Sequence, residues 1–252
     1  MKHVLIGGTS FCGSTVMSLI LGTADGAANV GESHWLIPHD TKYSCHYCGP
    51  ACQIWTRDFR QRLEADESNW YPRLAERLGS DILISADKSH THINRLDPDH
   101  DHTALILFKR PGNFWHSVNK RRWRSDSLEQ SLTRWAWLYQ EFLDQAYAPK
   151  GGKYFMGVET FMADPDRAIP LLFDTLGLGG TPEQALRYWE TVQHYVGGNF
   201  DAYDKLKRRG EEALQLSPVA TDEKATAQVA ALADHPAHAM IEELQARCLL
   251  GG

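Results

Sequence analysis

Residues 4–22, "VLIGGTSFCGSTVMSLILG", constrain this chain more than any other stretch. A short apolar run reads as a buried strand, a glycine-rich turn follows, and "STVMSLILG" resumes with helical spacing up to Gly22. Strand, glycine loop and helix in that order form a phosphate-loop unit, and Gly8, Gly13, Ser14 and Thr15 stand at nearly the right spacing. The lysine of a triphosphate loop is replaced by Ser14. That substitution weighs against ATP or GTP hydrolysis, because the lysine neutralises the terminal phosphates.

The same alternation continues along the chain. Strands are expected at "AANVGE", "DILISAD", "ALILFKR" and "KYFMGVE". Helices are expected at "QIWTRDFRQRLEA", at "NWYPRLAERLG" ending on Gly79, and over residues 113–147 with a break near 125–127. Two more, "DPDRAIPLLFDTLG" and "TPEQALRYWETVQHYV", begin on Asp-Pro and Thr-Pro, good N-terminal signals. Residues 197–222 read as a charged loop, and two closing helices follow from about residue 220. Strands alternating with helices imply an α/β three-layer sandwich around a mainly parallel sheet of about five strands. No repeat or linker divides the 252 residues, so one domain is expected.

A net charge of −6 leaves no nucleic-acid footprint on the whole molecule. No apolar run is long enough to span a bilayer, and "MKHVLIGG" lacks a secretory apolar core, so a cytoplasmic location is expected, with no membrane partner. Five cysteines, an odd number, argue against a disulfide framework.

Two stretches call for an anion. A helix N-terminus presents unpaired N–H groups and the positive end of a dipole, and Ser14 and Thr15 add hydroxyl donors. After the fourth expected strand, "KRPGNFWHSVNKRRWR" carries Lys109, Arg110, Lys120, Arg121, Arg122 and Arg124 with no acidic residue between them. Both lie past strand ends, where open parallel sheets bind ligands.

With these two anion signals the sequence resembles the PAPS-dependent sulfotransferases, in particular bacterial members (PAPS is 3′-phosphoadenosine-5′-phosphosulfate). "CGST", residues 12–15, is similar to that family's "SGST" loop for the 5′-phosphosulfate. "KRPGNFWHS" gives Lys109, Pro111 and Ser117 at the spacing of its 3′-phosphate element. "NVGES" resembles a Gly-Glu pair in which the glutamate serves as base, "ADKS" a Lys-Ser element after the third strand, and "CHYCGPACQIW" a cysteine element of bacterial members. "KYFMGVETFMADPDRAIPLLFDTLGL" is similar to "YEDL…DP…L…FLGL", so the ordered motifs run from about residue 4 to 180. Phe11 stands where the family has an arginine or lysine, Lys109 where it has arginine with Arg110 next to it, and Val158 where it has tyrosine.

The resemblance implies a P-loop-NTPase-like sulfotransferase fold. It implies transfer of a sulfuryl group from PAPS to a hydroxyl, or less readily an amine, of a small molecule, glycan or peptide, with PAP released and no metal required. Phe11, Cys12, Gly13, Ser14 and Thr15 would hold the phosphosulfate. Lys109, Arg110 and Ser117 would hold the 3′-phosphate, joined by Lys207, Arg208, Arg209 and Gly210 from a loop like the one that closes over the nucleotide. Glu32 is the candidate base with His34 as runner-up, and Lys88 is the candidate to replace the cation missing at Phe11. Trp35, Trp115, Trp123, Trp135 and Trp137 permit an apolar or aromatic acceptor.

Cys45, Cys48 and Cys52 place three thiols in eight residues. Zinc needs a fourth ligand, for which His39 or His46 is at hand; buried free thiols or one bridge are the alternatives. Two other functional readings stand beside the transferase. One is a magnesium-dependent kinase or NTPase with Asp87 at the metal. The other is a nucleotide- or RNA-binding module on the basic helix, which a steep salt dependence would reveal.

Overall fold

The computed structural model describes residues 1–36, 44–66, 69–88, 101–121, 126–144, 146–199, 216 and 218–251. Five strands form one sheet: β1 (Lys2–Gly8), β2 (Ala27–Gly31), β3 (Ile82–Lys88), β4 (Thr103–Phe108) and β5 (Lys153–Gly157). Their order is β2-β3-β1-β4-β5, and every pairing is parallel. The all-parallel sheet explains the unbroken apolar runs, since both faces of each strand are covered.

Alternation along the strands divides the core. Val4, Ile6, Ile84, Leu105 and Leu107 face one side and pack with α1 (Ser14–Leu21) and the helices after β5. On the other side Leu5, Leu83 and Val30 pack with α2 (Arg57–Ala65) and α3 (Trp70–Leu78). Ala104, Ile106 and Phe108 pack there with α4 (Pro111–Arg121) and α5 (Leu128–Leu143). The result is the expected three-layer sandwich. Gly7 lets Ile106 and Phe142 pack against the centre of the sheet, because a Cβ there would lie 2.8 Å from the side-chain tips of both and displace them.

Past β5 come α6 (Val158–Ala163), α7 (Pro165–Thr175) and α8 (Pro182–Leu186). The two closing helices, α9 (Glu223–Ala230) and α10 (Ala237–Ala246), are present. The Trp115 indole donates to Gln228 at 3.1 Å, tying α4 to α9.

The helix expected over residues 181–196 is corrected: it stops at Leu186, and only a 3₁₀ turn, Tyr188–Glu190, follows. Extended backbone is needed beyond it. Val196 bridges Gly31 in parallel, with Val196 N–H donating to Val30 O at 3.2 Å. The buried Gln193 side chain spans to Leu19 O (2.9 Å) and Asn29 (2.7 Å). These non-local bonds outweigh the local helical spacing.

α1 leaves β1 toward one face of the sheet and α4 leaves β4 toward the other. Neighbouring strands whose connections diverge open a crevice at their carboxyl ends, the usual ligand position in open parallel sheets. Here it lies between the loop 9–13 and Lys109.

Candidate active site

The loop after β1 is built close to the sheet. A Cβ on Gly8 would lie 2.4 Å from Leu107 O, so only glycine fits there. Phe11, at φ 66°, is held in the left-handed region, a strain of about 1–3 kcal/mol for a non-glycine residue. Its ring packs against the α4/α5 core, which anchors the turn. Gly13, at φ 82°, is the N-cap of α1 and has no side chain with which to cap the first turn. Ser14 and Thr15 follow, both buried, and the Thr15 hydroxyl accepts the Asn199 N–H at 3.1 Å.

Two cations from neighbouring strands act on this loop. Burial pushes the Cys12 thiol up; Lys88 is the main influence pulling it back down, followed by hydrogen bonds with Ser14 and then Lys109. Lys88 ends β3 and pairs with Gly7 in register, whereas Lys109 follows β4 directly. Lys88 is the second non-glycine residue at positive φ, 63°.

Glu32 lies one residue past β2 and is buried. One carboxylate oxygen is in contact with the Lys88 ammonium, and the other accepts the Trp35 indole N–H at 2.9 Å. Its backbone N–H donates to Val196 O at 2.8 Å. Gly197 must be glycine here, since a Cβ would lie 2.8 Å from Glu32 Cβ and 2.7 Å from the Trp35 ring.

Behind this pair sits Asp87, fully buried. Its carboxylate accepts from Ser33 Oγ (2.7 Å), the His34 backbone (3.0 Å) and Tyr71 OH (3.2 Å), and it contacts His34 Nδ1 at 2.9 Å. Burial alone would raise Asp87, but hydrogen bonding and charge from His34, together with Ser33, outweigh it and hold the carboxyl below its usual range. His34 is thus engaged through Nδ1, and Asp87 is enclosed by protein donors.

On the other side of the crevice, Lys109 Nζ donates to Ser117 Oγ at 3.1 Å, bringing together two residues eight apart in sequence. Glu159 organises the same corner: it accepts the Arg110 N–H at 3.0 Å and the Asn113 amide at 2.9 Å, at the start of α4.

No family model and no curated protein matches the sequence. Among solved structures, the "Sulfotransferase Domain from the Curacin Biosynthetic Pathway" is similar with a TM-score of 0.59. The match covers 92% of this chain and 97% of that one at 16% identity. The sulfotransferase domain from the Synechococcus PCC 7002 olefin synthase matches with a TM-score of 0.56, over 92% and 94%, at 14% identity. This is the sulfotransferase fold.

Within that fold, the structure brings Glu32, Lys88, Cys12, Ser14, Thr15 and Lys109 around one carboxyl edge of the sheet. Lys207, Arg208, Arg209 and Gly210 lie outside the described residues, as do Arg122, Trp123 and Arg124. Of the described tryptophans, Trp135 is core and fully buried, Trp137 is exposed, and Trp35 donates its indole N–H to Glu32. No helix among the described residues is long and apolar enough to cross a membrane.

The cysteine cluster gains a member that sequence spacing does not reveal. Cys45, Cys48 and Cys52 converge with His194, their ligand atoms all within 4.8 Å of one another. The expectation of His46 as fourth ligand is therefore corrected, since its Nε2 is turned to Gly197 O at 2.8 Å; His39 lies outside the described residues. None of the three cysteines is in a disulfide.

Proposed function

We propose that this chain transfers a sulfuryl group from PAPS to a hydroxyl acceptor, releasing PAP. The observation that carries the reading is the placement of Lys88, at the end of β3 in register with Gly7, and of Lys109, directly after β4, on the two strands that flank β1 and its loop. A loop with a helix N-terminus and cations on both sides suits a ligand with two separated anionic groups. The first-loop cation absent at Phe11 has a replacement in Lys88, and Lys109 with Ser117 forms the 3′-phosphate corner.

Glu32 serves as the base. It accepts the acceptor's hydroxyl proton while the oxygen attacks sulfur, the bond from sulfur to the 5′-phosphate oxygen breaks, and the electron pair leaves on PAP. Lys88 neutralises Glu32. An incoming phosphosulfate competes for Lys88, so cosubstrate binding draws the ammonium toward the developing phosphate charge and frees the carboxylate for its proton. Trp35 holds the second carboxylate oxygen and offers an aromatic wall for the acceptor. The enclosed Asp87 network weighs against a kinase or NTPase, which needs that carboxylate at magnesium. His34, engaged with Asp87, positions the Ser33–Leu36 turn rather than abstracting the proton.

The test is turnover of PAPS with a panel of phenols, alcohols and amines, following PAP release. Acceptor-dependent PAP formation without added metal is expected, and Thr15→Val should reduce it. Acceptor-independent release, or magnesium-dependent turnover of ATP instead, would overturn the reading.

A further inference from the structure

The segment after the shortened α8 links the cysteine cluster to the active-site edge, and its geometry is that of a metal site. His194 Nδ1 lies 3.7 Å from Cys45 Sγ, 3.4 Å from Cys48 Sγ and 3.5 Å from Cys52 Sγ. One ring nitrogen has a single lone pair or a single proton, so it can engage at most one of three thiols by a hydrogen bond. A tetrahedral zinc ion, with Zn–S about 2.3 Å and Zn–N about 2.0–2.1 Å, sets sulfur and nitrogen about 3.6 Å apart. All three separations match that value. A disulfide would instead draw two sulfurs to about 2.05 Å.

The surroundings fit as well. Three thiolates and one dication sum to a single negative charge, and the buried Arg60 lies in the field of Cys45 and Cys52. Trp55 Nε1 donates to His194 O at 2.7 Å, and Arg60 Nε to Trp55 O at 3.2 Å, fixing the ligand histidine from behind. Cys48 is exposed and Cys52 lines a cavity of about 580 Å³, which gives the ion an entry path. We infer that Cys45, Cys48, Cys52 and His194 bind one structural zinc ion, with the three thiols releasing their protons on binding.

The site has a structural consequence. From His194 the chain runs to Val196, which accepts the Glu32 N–H, then past Gly197 beside Glu32 and Trp35 to Asn199, which donates to Thr15. Zinc pins one end of a strap whose other contacts set the Glu32 backbone and the loop hydroxyl. The four ligands complete a tetrahedral shell, so the ion holds shape and takes no part in chemistry.

The experiment is elemental analysis of the full-length protein purified without chelator, with zinc release by a mercurial reagent read with a chromogenic chelator. One zinc per chain is expected. Cobalt exchanged into the site should give intense sulfur-to-metal charge-transfer bands and tetrahedral ligand-field bands. Cys48→Ser and His194→Ala should reduce bound metal to background, whereas Cys248→Ser should retain it. If the variants do not fold, zinc release and the cobalt spectrum of the unmutated chain still decide the matter. Hydrogen exchange of the zinc-stripped chain should rise at residues 194–199 and at Glu32. Absence of stoichiometric metal, a disulfide within the cluster by mass, an octahedral oxygen-type cobalt spectrum, or unchanged exchange at the strap would each overturn the inference. None of these readouts depends on PAPS, so they stand or fall apart from the sulfuryl-transfer reading.

Discussion

Glu32→Gln separates the two duties assigned to the Glu32–Lys88 pair. The substitution keeps the side chain's size and its contact with Trp35 but removes the negative charge. Both partners are largely shielded, the lysine side chain 24% exposed and the glutamate 8%. At about 4 Å and an effective dielectric near 20, such a pair attracts by about 4 kcal/mol before desolvation is subtracted. Removing the glutamate therefore releases Lys88 for an incoming anion. With most of the gross attraction offset by desolvation and solvent competition, a net gain of about 1 kcal/mol in PAP binding is expected, roughly fivefold. Loss of the base should lower turnover by about 10²-fold or more. Calorimetry with PAP and single-turnover PAPS kinetics read the two effects separately. Near-normal turnover would remove Glu32 as base. PAP binding weakened tenfold would refute the competition for Lys88.

Three further outcomes are expected. Lys109→Ala should weaken PAP by about 10- to 100-fold, the range of a charge-assisted contact, while leaving adenosine 5′-monophosphate nearly unchanged; an equal loss for both ligands would place Lys109 away from the 3′-phosphate. Asp87→Asn should destabilise the protein at neutral pH by about 2 kcal/mol. Because the folded carboxyl lies below its usual value, its contribution is complete above about pH 4 and fades as pH falls through the folded value. The gap between the two proteins in denaturant melts should therefore shrink toward pH 3, and a constant gap would contradict this. Gly31→Ala places a Cβ 2.4 Å from Val196 O at φ 68°, and calorimetric melting should fall by about 5–10 °C, reflecting roughly 2–3 kcal/mol; an unchanged melt would show that the strap yields easily.

The parallel sheet was legible because its strands are buried on both faces. "ALILF" and "ILIS" carry the pattern without needing partners to be known, and the glycine loop declared the β1–α1 turn. The order of motifs placed Glu32, Lys88 and Lys109 at strand ends, where parallel register brings them to one edge. What the sequence could not reveal depends on distant contacts. Thr181 and Pro182 start a helix properly, yet nothing local says that Gln193 will satisfy Asn29 or that Val196 will bridge Gly31. His194 stands 142 residues from Cys52, and cysteine spacing carries no information about a ligand so far along the chain. His46 was the nearer candidate, but its ring is turned to Gly197 O. The positive φ of Phe11 and Lys88 was likewise hidden, since neither residue type signals a left-handed backbone.

The most direct test of sulfuryl transfer on this fold is calorimetric titration of the full chain with PAP in the absence of magnesium. Micromolar, metal-independent binding that Lys109→Ala weakens by about 10- to 100-fold is the expected result. No binding of PAP, or binding of ATP that requires magnesium, would contradict it.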